Sequence, residues 1–162
     1  MPSWQSYPIL FRITQAVRCE QFEALVTTEG RALMALEDDE WGCHGVEPGG
    51  MTEHGDGPLV AYEAFRLSFR HVLDDLAEES ASIEAFQRDA QEFFNADTVE
   101  ESRWEMALEE LRSNSNLDEA FRNMQRMTPR PSSMTIRMLR SYADTPMPNA
   151  SESDSVALPE AA

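Results

Sequence analysis

Cys43-His44, followed by His54 and Asp56, are side-chain types that hold transition metals. Zinc sites present paired ligands at repeated short spacings, and this set has no second pair. Asp74-Asp75 and Glu78-Glu79 offer the carboxylates that a divalent-metal hydrolase would need. Helical spacing spreads those four along one outer face, so they read as a solvated helix end. His71 follows Arg70 on the same polar flank, and the sequence places no nucleophile beside it. The glycines at 42, 45, 49, 50, 55 and 57 lack the lysine and helix context of a phosphate-cradling loop. No catalytic residue, metal ligand or cofactor is therefore expected, and a hydrolase is the least favoured reading.

The elements that position these residues have clear signals. Pro58 is suited to the first position of a helix, because the N–H that it lacks would have no partner there. From it Tyr62, Phe65, Phe69, Val72, Leu73 and Leu76 recur at helical spacing and form a broad apolar stripe. That stripe must lie on something flat and hydrophobic, and the preceding residues supply a sheet. Ile9, Phe11 and Ile13 alternate with Leu10, Arg12 and Thr14, and residues 22–27 and 32–36 are two further β-compatible runs. Glu29-Gly30-Arg31 between those runs predicts a hairpin turn, since glycine supplies positive φ. Residues 22–27 also suit the start of a helix, and a further strand is expected around 43–46.

Ile83, Phe86, Ala90, Phe93 and Phe94 share one helical face. Thr98-Val99-Glu100-Glu101 has the capping-box form, with Trp104, Ala107, Leu108 and Leu111 on the buried side of its helix. Leu117, Ala120, Phe121, Met124 and Met127 mark another short helix capped by Asn116, which Pro129 and Pro131 stop. Residues 134–139 favour an edge strand with even positions inward over a brief helix, and from 145 the Pro, Ser, Ala and acidic composition predicts disorder. The fold class is thus α+β: a small antiparallel sheet of three to four strands backed by a long amphipathic helix, then a helical extension and a disordered acidic tail. The expected divisions are a sheet-plus-helix domain at 1–80, a helical extension at 81–128, an edge strand within 129–144 and the tail at 145–162.

Charge sharpens the functional reading. Among 162 residues, 30 acids face 13 bases, all arginine, for a formal charge of −17. A surface of that sign opposes free nucleic acid, whose affinity for proteins comes from clustered cations. A basic protein partner fits better, although acid-rich surfaces also serve solubility alone. Glu37, Asp38, Asp39, Glu40, Glu47, Glu53 and Asp56 follow one another with no arginine among them, whereas Arg112, Arg122, Arg126, Arg130, Arg137 and Arg140 crowd a later stretch. Such asymmetry suits two partners of opposite sign, or contact between copies. No run has the length of apolar residues that a membrane span needs, and the N-terminus lacks a leader-like pattern, which together predict a cytoplasmic protein. The two cysteines, Cys19 and Cys43, are read as reduced thiols.

The order of strands, then Pro48-Gly49-Gly50-Met51-Thr52, Gly55-Asp56 and a helix through Ala61, Glu63-Ala64 and Leu76, resembles the N-terminal domain of HicB-like antitoxins. Tyr7-Pro8, Pro48-Gly49, Thr52 and Gly55-Asp56 are the matching positions, and the likeness covers about residues 7–79. One extra residue separates Thr52 from Gly55, and Val46-Glu47 stands where that family usually has Asp-Leu. The resemblance implies a degenerate RNase H-like layer without nuclease activity that blocks a small basic toxin RNase. It also implies a C-terminal DNA-binding segment in many members. Here the only suitable helix pair, within residues 98–127, begins with Glu100, Glu101, Glu105, Glu109 and Glu110, which oppose DNA phosphates.

A non-catalytic inhibitor is the leading expectation, with Asp38, Asp39, Glu40, Glu47, Glu53 and Asp56 steering a cationic partner and Trp41 and Met51 supplying the buried contact. The alternative is a structural, immunity-type or assembly protein whose helical extension joins copies into a homo-oligomer.

Overall fold

The computed structural model describes residues 6–113 and 132–142. The expected helix at 117–127, and with it the second member of the helix pair weighed for DNA, lies outside the described residues, as does the tail from 145. The chain forms β1 (Ser6–Arg18), β2 (Phe22–Glu37), β3 (Glu40–Glu47), β4 (Gly49–Gly55), α1 (Pro58–Glu79), α2 (Ile83–Phe93), α3 (Thr98–Ser113) and β5 (Ser133–Ser141). The fold is α+β, with every strand pair antiparallel.

β2 is the spine. One side pairs with β1 along its length, from Ser6↔Ala35 to Arg18↔Glu23. Its other side is shared: residues 22–29 pair with β5, and residues 31–37 pair with β3. β4 lies outside β3. Both segments left open between helix and strand, 22–27 and 134–139, are strands.

The hairpin expected at Glu29-Gly30-Arg31 is not formed there; β2 runs straight through those residues. Gly30 serves close approach instead of a turn. A Cβ at that position would lie 2.5 Å from Phe11 Cζ and 2.4 Å from the Glu47 carbonyl oxygen, so the missing side chain is what lets the Phe11 ring lie on the strand. The hairpin falls at Asp38-Asp39, whose φ angles of 51° and 64° are both positive, as a two-residue loop matched to strand twist requires. Asp tolerates that conformation better than most residues.

Alternation sends Phe11, Ile13 and Val17 of β1 and Phe22, Ala24, Val26, Ala32 and Met34 of β2 to one face. α1 covers it with Ala61, Phe65, Phe69, Leu73 and Ala77, every one fully buried. The expected stripe is present, but its centre follows a strict four-residue step, and Tyr62, Val72 and Leu76 lie half-buried on its flanks. Phe11 meets Phe65 edge-on at 5.4 Å between ring centroids, and Phe22 packs on Phe86 of α2 at 5.5 Å. Both arrangements suit the ring quadrupole.

α3 lies on the opposite face. Trp104 and Ala107 close over Leu33 and Val46 in a second, smaller cluster. The cap of this helix is Asp97 and not Thr98: Asp97 Oδ1 accepts from the backbone N–H groups of Val99 (2.9 Å) and Glu100 (3.2 Å). Glu101, expected to complete a capping box, reaches across to the sheet and binds Arg31 at 2.9 Å.

Candidate partner-binding surface

The eight residues singled out by sequence do not form one surface. Five of them meet at one end of the sheet. Asp38 and Asp39 form the β2–β3 turn, Glu40 opens β3, and Trp41 pairs in register with Gly55, the residue before Asp56. Asp38, Asp39, Glu40 and Asp56 are exposed, and none is ion-paired with another described residue. Half-buried Trp41 stacks on Tyr7 with centroids 5.7 Å apart and planes 20° from parallel. α1 begins beside this cluster, leaving Leu59 70% and Val60 57% exposed.

Close approach of α1 to β4 builds that corner. A Cβ on Gly55 would sit 2.7 Å from both the Ala61 backbone nitrogen and Val60 Cγ1, so glycine is required for the helix to start where it does. Sequence reasoning missed Tyr7, Leu59 and Val60. The helical period marks Leu59 and Val60 as lying off the buried stripe, but only strand register shows Tyr7 beside Trp41.

The other three residues lie elsewhere. Glu47 is half-buried and committed within the fold: its carboxylate binds Arg31 Nη2 at 3.0 Å, alongside Glu101. Glu53 turns toward α1 and accepts from Ser68 Oγ at 2.5 Å. Met51 packs against the core from the rim of β4. These two border a groove of about 350 Å³ between β4 and α1, lined also by Gly50, Thr52, Ser68, His71, Val72 and Asp75.

Under α3 lies a charged layer that sequence did not anticipate. Burial alone would lower the pKa of Arg31, but hydrogen bonds and charge from Glu101 and Glu47 outweigh it and raise the value. The same guanidinium stacks on Trp104 at 5.3 Å from the ring centroid, and its Nε donates to Ser132 Oγ at 3.2 Å. Arg103 bridges Glu37 (3.0 Å) and Glu100 (3.1 Å). Burial pushes the Glu37 carboxyl up, yet the Arg103 hydrogen bond and the charges of His44 and Arg103 hold it below its ordinary 4.5. His44 Nδ1 shares a proton with Thr52 Oγ1 at 3.1 Å; its Nε2 sits 3.3 Å from Glu37 Oε1, near enough for an ion pair but not aligned for a hydrogen bond.

The residues weighed for chemistry are dispersed. Cys43 faces the α1 core and adjacent His44 the α3 side, as neighbours on a strand must. Burial raises the Cys43 thiol to about 12, which leaves it protonated and shielded, and Cys19 is also a free thiol. Asp74 accepts from Gln15 Nε2 at 3.0 Å, whereas Glu78 and Glu79 are exposed at the end of α1. Among the described residues no three His, Cys, Asp or Glu side chains converge on a metal position, and no helix is long and apolar enough to cross a membrane. No family model, curated protein or solved structure matches the chain.

Proposed function

We propose that this chain is a non-catalytic binding protein, an inhibitor of the HicB-like antitoxin type, which masks a small basic RNase through the acidic end of its sheet. The observation that carries the reading is the meeting of four carboxylates that have no ion-pair partner among the described residues, Asp38, Asp39, Glu40 and Asp56, with the Tyr7–Trp41 stack and the uncovered Leu59 and Val60. Exposed acids around a half-buried aromatic pair combine long-range steering with a contact that excludes water. The Asp38-Asp39 turn is closed on both sides by strand pairing, so the charges are held rigidly and less entropy is lost on docking.

The test mixes the protein with a small basic RNase from its own locus and follows RNA cleavage. Excess protein is expected to stop cleavage. The triple variant Asp38→Asn, Asp39→Asn, Glu40→Gln keeps a turn that Asn tolerates and is expected to raise the half-inhibitory concentration about tenfold or more. Cleavage that persists at excess of the unaltered protein overturns the proposal.

A second reading, self-assembly through the helical extension, rests on Val99 (67% exposed) and Met106 (68% exposed), two turns apart on the outer side of α3. It predicts a solution mass above that of one chain, which Met106→Glu returns to the monomer value.

A further inference from the structure

We infer that the outer edge of β4, with the groove beneath it, takes a strand from the partner whose side chains alternate between basic and small apolar. This inference rests on the reading above that the partner is cationic. β4 hydrogen-bonds to β3 on one side, and among the described residues no strand lies on its other side. Alternate residues of an edge strand direct their N–H and C=O groups outward, where an added strand pairs with them. Natural edges are commonly blocked by proline or lysine, and residues 50–55 contain neither.

The groove selects the sign of the added strand. Side chains entering it would lay their stems on Met51 and Val72 and reach Glu53 and Asp75. Glu53 is already oriented by Ser68, while among the described residues Asp75 and His71 have no hydrogen-bond or ion-pair partner. Long cationic side chains, apolar in the stem and charged at the tip, match that lining. A second copy of this chain does not: each carries a formal charge of −17.

Among the described residues the sheet has two other free edges, and both are less suited: β5 pairs only with β2 and carries Arg137 and Arg140, and β1 is partly tied down. Trp104 Nε1 donates to the Ile9 carbonyl there, Gln15 is tied to the Arg70 carbonyl, and its charged side chains are Arg12 and Arg18. An incoming cationic strand would meet like charge on β1 and opposite charge on β4.

The probe is the fluorescent peptide acetyl-Arg-Val-Arg-Val-Arg-Val-Arg-amide, followed by anisotropy, with its Glu-for-Arg analogue as control. The arginine peptide is expected to bind and the glutamate peptide to fail. Thr52→Pro, which also gives up the Oγ1 hydrogen bond to His44, is expected to weaken binding about tenfold or more by removing an edge N–H, and Asp75→Asn about threefold by removing a groove charge. Hydrogen exchange checks the fold of Thr52→Pro and should show the peptide protecting the amides of residues 50–54 in the unaltered protein. Equal binding of both peptides, or arginine-peptide affinity unchanged in both variants, overturns the inference.

The RNase assay separates this inference from the reading it rests on. Inhibition lost in the Asp38, Asp39, Glu40 variant but untouched by Thr52→Pro overturns the edge and leaves the acidic end standing. Peptide capture at the edge, with RNA cleavage intact at excess protein, upholds the edge and overturns the inhibitor.

Discussion

The two faces of the sheet are held by opposite kinds of force. Beneath α1 the contacts are rings and aliphatic chains at or near zero exposure, centred on Phe11, Phe65, Phe69 and Phe22. Beneath α3 a small apolar cluster is ringed by charge: Arg31 with Glu47 and Glu101, and Arg103 with Glu37 and Glu100. Apolar burial is non-directional and insensitive to salt, whereas ion pairs fix an angle and weaken with ionic strength. One face therefore carries most of the stability. The other sets where α3 lies relative to β3, close to the strand that begins at the acidic corner.

The largest test of this difference is Phe65→Ala. Phe65 is fully buried and meets Phe11 edge-on, so the substitution removes a ring and leaves a cavity that the surrounding strands cannot collapse into. Denaturant unfolding is expected to show a loss of about 3–5 kcal/mol, equal at low and high salt. A loss that shrinks with added salt would break the comparison.

Arg31→Met should act in the contrary way. The methionine keeps a stem for Trp104 to pack on but leaves two half-buried carboxylates, Glu47 and Glu101, without their cation. A loss of about 2 kcal/mol is expected at low ionic strength, smaller at high salt because screening reduces the repulsion left between the acids. Hydrogen exchange should rise first in α3 and leave α1 protected, since the network ties only the former to the sheet.

What the sequence revealed follows the same division. Period and alternation report burial, so the α1 stripe from Phe65 to Leu73, the Ile9–Phe11–Ile13 alternation and the Trp104–Ala107 face were legible. Long-range polar contacts leave no periodic trace. Nothing local tells that Glu101 turns from its own helix end to Arg31, seventy residues away, or that Glu47 is spent inside the fold and not on a partner. The misplaced hairpin has a physical cause as well: glycine signals either a turn or a close approach, and only the Phe11 ring lying on Gly30 decides between them. The acidic corner was half legible, because Asp38 to Trp41 are contiguous while Tyr7 and Asp56 reach them only through strand register.

A smaller effect of opposite sign is expected inside the apolar face. Thr28 is fully buried on β2, and among the described residues its hydroxyl has no hydrogen-bond partner. Thr28→Val removes that desolvated group at nearly constant volume, and a gain of about 1 kcal/mol should appear as a higher denaturant midpoint with unchanged slope. A loss would mean that this face also depends on a polar contact and would blur the contrast with the α3 side.

The smallest effect falls on the charged face and is read from pH. Arg103 and His44 hold the Glu37 carboxyl below its ordinary 4.5 in the folded state. In the unfolded chain it titrates near the ordinary value, so as pH falls through that window the unfolded state takes up the proton first. The stability Glu37 provides is therefore complete above 4.5 and is lost progressively as pH falls toward the lower folded value. The Glu37 side chain is 41% exposed, and solvent screening limits the contribution to about a few tenths of a kcal/mol. Glu37→Gln should flatten the acid side of the stability curve slightly while leaving the neutral plateau lower by the same small amount. An acid limb unchanged by the substitution would show that Arg103 exchanges Glu37 for Glu100, which it already holds at 3.1 Å, without loss.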